Sequence, residues 1–173
     1  MSTVVHIFVA AARGAVARAI DSVEALTGAG LAGDRYAEAK NRRGPDYEVT
    51  LIELENIEAF AANTGLTMTP DMPRRNIVTV GVRLNRLVGQ HFEVGGAIFE
   101  GLKLCEPCRL FAKRTRDDVL AFFRSKGGLR ARIVSGGVIW VRDPITRMPN
   151  GAVEGDDTVP ALRASVRVPH RER

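Results

Sequence analysis

Short hydrophobic stretches separated by polar turn residues are the dominant pattern along this chain, and they predict a protein built mainly from short β-strands. Turn residues separate eight β-like stretches. The predicted strands are Val4–Val9, Ala19–Leu26, Glu48–Glu53, Asn76–Val80, His91–Val94, Ala97–Leu104, Ala131–Val134 and Val138–Val141. Many short strands with few helices favour a closed or sandwiched β-structure over a parallel sheet with crossover helices.

Two further segments have the features of helices. Leu54–Asn63 places its apolar residues on about one face, and Gly65 follows as a stop signal. The second, Arg116–Ser125, follows a threonine that can cap it and has acidic residues in its first turn. Gly127 and Gly128 end it. We therefore expect a mainly β fold with a few helices.

Length and composition fit one compact domain. The chain has 173 residues, of which 45% are hydrophobic and 26% are charged, and it can bury a core without disulfides. The strand pattern fades near Pro149. This predicts a single domain over residues 1–148 and a polar, basic C-terminal extension over residues 149–173 that is loosely ordered.

The sequence also predicts a cytoplasmic protein with no membrane segment. No apolar run approaches the roughly 20 residues that a membrane-spanning helix needs. The N-terminus lacks a basic leader, and His6 interrupts its apolar stretch, so we interpret it as a first strand rather than a signal peptide. In that compartment both cysteines are expected to be reduced thiols.

The chain carries a net charge of +5, and part of the excess lies in tail arginines such as Arg163 and Arg167. A solvated surface is the simplest explanation of these charges. The alternative is attraction to an anion, such as a phosphate-bearing cofactor or a nucleic acid. No aromatic residues are interleaved with the tail arginines, so base stacking, and with it nucleic-acid binding, is not favoured.

A glycine-rich segment, residues 28–33, matches the G-x-G-x-x-G pattern of dinucleotide-binding proteins. That motif must open a helix that packs on the sheet, and the residues that follow here have no apolar face. A glycine-rich turn that places Asp34 and Arg35 at the end of a strand is the better prediction.

The two cysteines form a C-x-x-C pair, Cys105-Glu106-Pro107-Cys108, after a predicted strand. A redox disulfide is one interpretation, although that motif normally starts a helix. Half of a zinc site is another, but the three histidines are scattered. In a third, one thiolate binds a soft metal or carries sulfur and the other supports it. Two small residues buried in a core remain the simplest alternative.

Arg74-Arg75-Asn76 lies just before the predicted strand that continues into Ile77. An arginine in this position can hold an oxyanion in a pocket at the end of the strand. Taken alone, paired arginines before a strand are more often surface residues.

Together these segments resemble the MOSC family, named after the C-terminal domain of molybdenum cofactor sulfurase. The matching segments, in the family's order, are Val23–Leu26 with Gly30–Arg35, Val49–Ile52 leading into Leu54–Asn63, the R-x-N-[IL] element Arg74–Ile77, the hairpin Leu84–Gly95, and the cysteine pair. The resemblance implies a MOSC-type closed β-barrel. It also implies a pocket for the molybdenum cofactor.

The resemblance also assigns roles to residues. Cys108 falls at the family's cysteine and would ligate molybdenum or carry sulfur. Arg74 and Asn76 correspond to a cofactor-holding pair, with Arg74 addressing the phosphate or the pterin. Asp34 shapes the family's turn, and Cys105 is a neighbour of the metal ligand. One departure is Arg142-Asp143-Pro144, where the family often has Gly-Asp.

The expected activity is reduction of N-hydroxylated or N-oxygenated small molecules, with electrons from a partner protein because two cysteines cannot hold a four-thiolate cluster. The family's reductases often carry extra terminal segments, and this chain has no separate N-terminal barrel. Two alternatives stay open. Cys108 could carry a persulfide received from a sulfur-donor protein, with Cys105 resolving it. Or the protein could bind or deliver the cofactor without catalysis.

Overall fold

A computed structural model describes residues 1–108, 111–112 and 118–149. Its strands are β1 (Thr3–Val9), β2 (Arg18–Ile20), β3 (Ser22–Leu26), β4 (Gly30–Leu31), β5 (Val49–Glu53), β6 (Ile77–Val80), β7 (His91–Val94), β8 (Ala97–Leu104), β9 (Leu129–Ser135), β10 (Gly137–Trp140) and β11 (Ile145–Arg147). Its helices are α1 (Leu54–Thr64) and α2 (Asp118–Phe122), and short 3-10 helices cover Ala39–Asn41, Pro45–Tyr47 and Leu84–Leu87. The prediction of a mainly β fold is confirmed.

The strands form two sheets. The larger has eight strands in the order β11-β7-β8-β9-β5-β6-β1-β2, and the smaller has the order β10-β3-β4. All pairings are antiparallel except that of β5 with β6. The parallel pair needs a crossover, and α1 lies in the connection between its two strands.

The closed barrel predicted from the family resemblance is wrong, because neither sheet closes on itself among the described residues. One isolated bridge, Thr3 with Pro144, joins the segment before β11 to β1. Proline has no N–H to extend a ladder, and Arg142, two residues earlier, has a φ of +81° that leaves the strand conformation. The large sheet therefore stays open.

Most predicted elements are confirmed to within a few residues, with two exceptions. The single strand predicted over Ala19–Leu26 divides at Asp21, and its halves join different sheets as β2 and β3. The predicted helix over Arg116–Ser125 is α2 over Asp118–Phe122, and its first two residues lie outside the described part. The proposed extension over residues 149–173 likewise lies outside it, apart from Pro149.

Two hydrophobic clusters form the core, on opposite faces of the large sheet. Successive residues of a strand point to opposite faces, so Leu51 and Ile77 enter the first cluster whereas Ile52 and Val78 enter the second. The second cluster is covered by helical residues, namely Ile57 and Phe60 of α1, Val119 of α2, and Phe111, Ala112 and Phe123 near α2. Helices therefore cover this face of the sheet.

The glycine-rich segment forms turns, as predicted. Gly28, Gly30 and Gly33 all have positive φ, and the following residues form turns and a short 3-10 helix instead of a long helix. This places Asp34 three residues after β4. Separately, no helix in the described part of the chain is both long and apolar enough to span a bilayer.

Candidate functional site

The candidate site is an open cavity of about 230 Å³ between the end of β1, the turn after β4, the loop before β6 and the cysteine loop after β8. It is lined by all five residues that the sequence singled out, Asp34, Arg74, Asn76, Cys105 and Cys108. Residues separated by up to 74 positions in the sequence thus meet around one cavity. The structure brings the predicted site together, and the role of each residue remains a prediction.

Asn76 is the residue that joins the walls. Its Oδ1 accepts hydrogen bonds from the backbone N–H (3.1 Å) and the hydroxyl (2.9 Å) of Thr50. Its Nδ2 donates to the carbonyl of Phe8 (3.2 Å) and to Oδ2 of Asp34 (3.3 Å). Both donors and both lone pairs of the amide are therefore used within the protein, and Asn76 links β1, β5 and the turn after β4.

Asp34 is buried, and its carboxylate organises the turn after β4. Oδ2 accepts from the backbone N–H of Ala10 at 3.0 Å, and Oδ1 accepts from that of Tyr36 at 3.1 Å. With Asn76, these bonds satisfy a buried charge through neutral donors. The carboxylate thereby fixes the turn against the end of β1.

Arg74 has an unusual backbone conformation, with a φ of +56°. The left-handed region costs a non-glycine residue roughly 1–2 kcal/mol and is concentrated at functional sites. The N–H of Arg74 donates to the carbonyl of Asp71 at 2.9 Å, and its Nη1 donates to the carbonyl of Ala15 at 2.8 Å. The turn therefore separates the two side chains, since Arg74 bonds to the loop at Ala15 whereas Arg75 is buried.

Arg75 is the residue that the sequence analysis missed. It is 7% exposed and lies beneath the cysteine loop. Its Nε donates to the carbonyl of Gly127 (2.8 Å), Nη1 to that of Pro73 (2.9 Å) and Nη2 to that of Cys105 (3.1 Å). The only signal in the sequence was the pair of adjacent arginines. No residue type in this segment indicates that the backbone of Arg74 is in the left-handed region.

Burial lowers the pKa of Arg75 below its usual value, since the charged form loses hydration. Negative charge on Cys105 raises that pKa again, the positive charge of Arg130 lowers it, and negative charge on Cys108 raises it. The guanidinium is therefore electrostatically linked to both thiols.

The cysteine loop presents its two thiols differently. Cys105 is 1% exposed whereas Cys108 is exposed, and both are free thiols. The backbone N–H of Cys105 donates to the carbonyl of Gly128 at 2.7 Å. The Glu106 carboxylate accepts from the backbone N–H of Ser125 at 2.9 and 3.2 Å. The first half of the loop is thus held in place while the Cys108 thiol is accessible.

Gly127 and Gly128 allow this close approach. A Cβ at Gly127 would collide with the carbonyl oxygen of Cys105, and one at Gly128 would collide with that of Leu51. Gly128 also has a φ of +111°. The sequence analysis interpreted the pair as a helix stop, and the structure adds that it lets the cysteine loop and β5 pack directly on this backbone.

One wall of the cavity alternates arginine and tyrosine. Arg35 lies over the ring of Tyr36 (4.4 Å) and donates to its hydroxyl (2.8 Å), and Tyr36 contacts Tyr47 with 5.5 Å between ring centroids. Arg130 lies 5.0 Å from the Tyr47 ring and donates to the carbonyl of Asp46 at 2.9 Å. Such stacking holds cations at a surface that also has aromatic faces.

The cavity is rich in positive charge and poor in metal-binding clusters. Of the described residues, four arginines and one carboxylate, that of Asp34, line it. Across the described ranges no group of three or more His, Cys, Asp or Glu residues could hold a metal ion. A zinc site completed by the scattered histidines therefore finds no support there, and the arrangement present is one exposed and one buried thiol beside an anion-attracting surface.

Comparison with protein families now decides the identity of the domain. The model of the MOSC domain matches residues 38–146, which is more than half of the chain. The chain belongs to the MOSC domain family. The matched range contains Arg74, Asn76 and both cysteines of this MOSC protein, whereas Asp34 lies just before it. No curated protein matches the sequence.

Solved structures share the MOSC fold of this chain. The YUAD protein from Bacillus subtilis has a TM-score of 0.70 at 16% identity, covering 84% of this chain and 94% of its own. YiiM from Geobacillus stearothermophilus has a TM-score of 0.70 at 16% identity over 88% and 77% of the two chains. YiiM from Escherichia coli has 0.63 at 18% identity over 85% and 70%. At this identity the likeness concerns the fold alone.

Proposed function

We propose that this MOSC protein binds the molybdenum cofactor in the cavity, with Cys108 as the protein ligand of the metal. The observation that carries the proposal is the exposed Cys108 thiol at the edge of an arginine-lined cavity in a domain of this family. MOSC domains are generally associated with binding of this cofactor.

The chemistry of the donor set fits the cofactor. A thiolate is a soft ligand suited to a metal that is already held by the sulfurs of a dithiolene. The cofactor also carries an anionic phosphate, which guanidinium groups bind through paired hydrogen bonds. Arg74 would hold the phosphate or the pterin. Asn76 and Asp34 would contribute by fixing the walls, because their polar atoms already have protein partners.

The proposed activity is reduction of N-hydroxylated or N-oxygenated small molecules in the cytoplasm, with electrons delivered by a partner protein. When bound, the cofactor would supply two-electron removal of oxygen from such a substrate. This chain would contribute the metal ligand, the orientation of the cofactor and the positive potential of the cavity. Cys105, held beneath the loop by its backbone bonds, would keep Cys108 in place.

Metal and pterin analysis tests the proposal. The wild type, Cys108→Ala and Cys105→Ala would be purified from a host that makes the cofactor, and the molybdenum and pterin contents would be measured. We expect near-stoichiometric molybdenum in the wild type, a several-fold loss in Cys108→Ala and a smaller loss in Cys105→Ala. A wild type without molybdenum or pterin would refute cofactor binding.

Sulfur carriage is a second candidate, favoured by the presence of two free thiols on one cavity, one exposed and one buried. Cys108 would take the outer sulfur of a donor protein's persulfide, and Cys105 would resolve the resulting Cys108 persulfide by forming a disulfide and releasing sulfide. In Cys105→Ala, where this resolution is blocked, incubation with a persulfide donor should add about one sulfur atom to Cys108, reversibly by reductant. Absence of this mass gain would remove the candidate.

A further inference from the structure

Arg75 is a buried positive charge whose protein partners are all neutral. A buried charge is usually paired with an opposite charge or bound to a ligand, since losing hydration is costly. Its three hydrogen bonds go to backbone carbonyls. Among the residues that the structure describes, no carboxylate lies within ion-pair distance of this guanidinium. Among these residues the charge is solvated by backbone dipoles and faces no carboxylate, and the groups whose negative charge can offset it are the thiols of Cys105 and Cys108.

The guanidinium also has hydrogens left for a ligand. It has five N–H groups, and the three bonds use one hydrogen on each nitrogen. One hydrogen on Nη1 and one on Nη2 have no acceptor within the described ranges. Guanidinium N–H groups bind carboxylate and phosphate oxygens. Arg75 is among the residues that line the cavity, so a ligand there would lie next to this residue.

The surroundings favour an anion at this point. Asp34, the one carboxylate of the cavity wall, already accepts from two backbone N–H groups and from Asn76. Arg130 lies on the wall and is close enough to act on the charge of Arg75. Negative charge on Cys105 or Cys108 raises the pKa of Arg75. The guanidinium therefore lies on the thiol side of the cavity.

We propose that Arg75 is the central cation of an anion-binding site beside Cys108, which takes the anionic oxygen group, carboxylate or phosphate, of a small-molecule ligand. Arg130 adds positive potential to the same site. The site is separate from the role proposed for Arg74 and does not depend on the molybdenum cofactor. It predicts that small molecules reaching Cys108 are selected for negative charge.

Alkylation of Cys108 tests the site in the full-length, cofactor-free protein. The Cys108 thiolate attacks iodoacetate and iodoacetamide alike and displaces iodide from both, so the ratio of the two rates cancels differences in thiol ionisation. The ratio would be measured at Cys108 by peptide mass spectrometry and compared with that of a free cysteine peptide. We expect the protein to favour iodoacetate on the order of fivefold, the effect of one unit charge at contact distance in water.

Three variants and two competing ions complete the test. Arg75→Met should lower the ratio towards that of the peptide, and Arg75→Lys should restore part of it because the charge is kept but the fork is lost. Arg147→Met, which removes an exposed arginine of β11, should leave the ratio unchanged. In wild-type protein, phosphate or acetate should lower the ratio relative to chloride at equal ionic strength.

The competing ions identify the ligand class and need no variant. A decrease with phosphate alone assigns a phosphate site, a decrease with acetate alone assigns a carboxylate site, and a decrease with both assigns their shared chemistry. A wild-type ratio equal to that of the peptide, unaffected by either ion, would overturn the proposal. Because no cofactor is present, this result is independent of the molybdenum analysis.

Discussion

At the scale of single residues, the side chain of Asn76 connects the walls of the site. Four hydrogen bonds connect its amide to β1, to Thr50 of β5 and to Asp34. A polar network of this kind stabilises a site only when every member is satisfied, and here the amide is fully used. The shape of the cavity therefore depends on the identity of this residue.

Replacing Asn76 by alanine should be strongly destabilising. The change leaves the Asp34 carboxylate and the Thr50 hydroxyl with one partner fewer each in a buried setting, and we expect a loss of about 3 kcal/mol in the free energy of unfolding. The matched control is Asn63→Ala, an exposed asparagine with one bond to the carbonyl of Ala59, where the loss should stay below about 1 kcal/mol. Urea denaturation measures both, and equal losses would contradict the role of the network.

Glu48 makes stability depend on pH. It is buried, and loss of hydration raises its pKa above the usual 4.5 even though the N–H of Ile133 donates to its carboxylate. The folded protein therefore binds this proton more tightly than the unfolded chain. Its contribution to stability is present at pH values below 4.5 and is lost as the pH rises through the higher folded pKa.

The Glu48→Gln variant should isolate this effect. Glutamine can still accept the hydrogen bond from Ile133 but does not ionise. We expect the variant and the wild type to have similar free energies of unfolding near pH 4, and the variant to be the more stable at pH 7. Glu58→Gln, an exposed site on α1, should follow the wild type at both values. If the wild type instead gains stability relative to Glu48→Gln between pH 4 and pH 7, the pKa of Glu48 is lowered by folding and the prediction is wrong.

The limits of sequence-based prediction are clearest at Arg74 and Arg75. The motif pointed to this pair and to Asn76, because an arginine before a buried strand suggests a pocket, and the structure places all three on the cavity. It could not say which arginine is buried, because that depends on a left-handed φ at Arg74 that no glycine or asparagine signals. Burial of Arg75 depends on carbonyls far away in the chain.

At the scale of elements, the cysteine loop is held by the backbone that precedes β9. The N–H of Cys105 bonds to Gly128, the carbonyl of Cys105 and that of Gly127 share the guanidinium of Arg75, and Glu106 bonds to Ser125. The loop residues that precede Cys108 thus have fixed hydrogen-bond partners.

Gly128→Ala should disrupt this attachment. The new Cβ would meet the Leu51 carbonyl in β5, and the φ of +111° is unfavourable for alanine. We expect a loss of more than about 3 kcal/mol in the free energy of unfolding. Gly65→Ala is the control, because Gly65 also has a positive φ, of +69°, but has open space around it, so its loss should be about 1 kcal/mol. Thermal unfolding that ranks the two the other way would contradict the steric argument.

Element prediction succeeded for strands of four or more residues and failed for shorter ones. Apolar stretches between turn residues located β1, β7 and β8, and the spacing of apolar residues located α1. The two-residue β4 and three-residue β11 are too short for a pattern to appear. Asp21 separates β2 from β3, and no glycine or proline marks this break in the sequence.

At the scale of the whole molecule, closure of the barrel could not be derived from local patterns. It depends on whether the residues around Pro144 pair with β1 along a ladder, and they make one bridge. The resemblance correctly indicated the family. The extent of closure is a long-range property of this chain's own residues.

Removal of the C-terminal residues tests the predicted domain boundary. Both core clusters, all the strands described above and the cavity lie within residues 1–149. We therefore expect a chain ending at Pro149 to keep its thermal midpoint to within about 2 °C, since surface regions outside a core contribute little. Circular dichroism measures this midpoint. A fall of 10 °C or more would show that the extension packs on the domain.

The position of β9 in the large sheet has a consequence for biosynthesis. β9 joins β8 on one side to β5 on the other, so it connects the group β11-β7-β8 with the group β5-β6-β1-β2. β11 follows β9 in the chain, so before residue 135 has left the ribosome the two sets present are β7-β8 and β5-β6-β1-β2, each with an unpaired edge where β9 will lie. Unpaired edges favour association between chains. We therefore expect this protein to aggregate during synthesis when translation slows or stops just before β9.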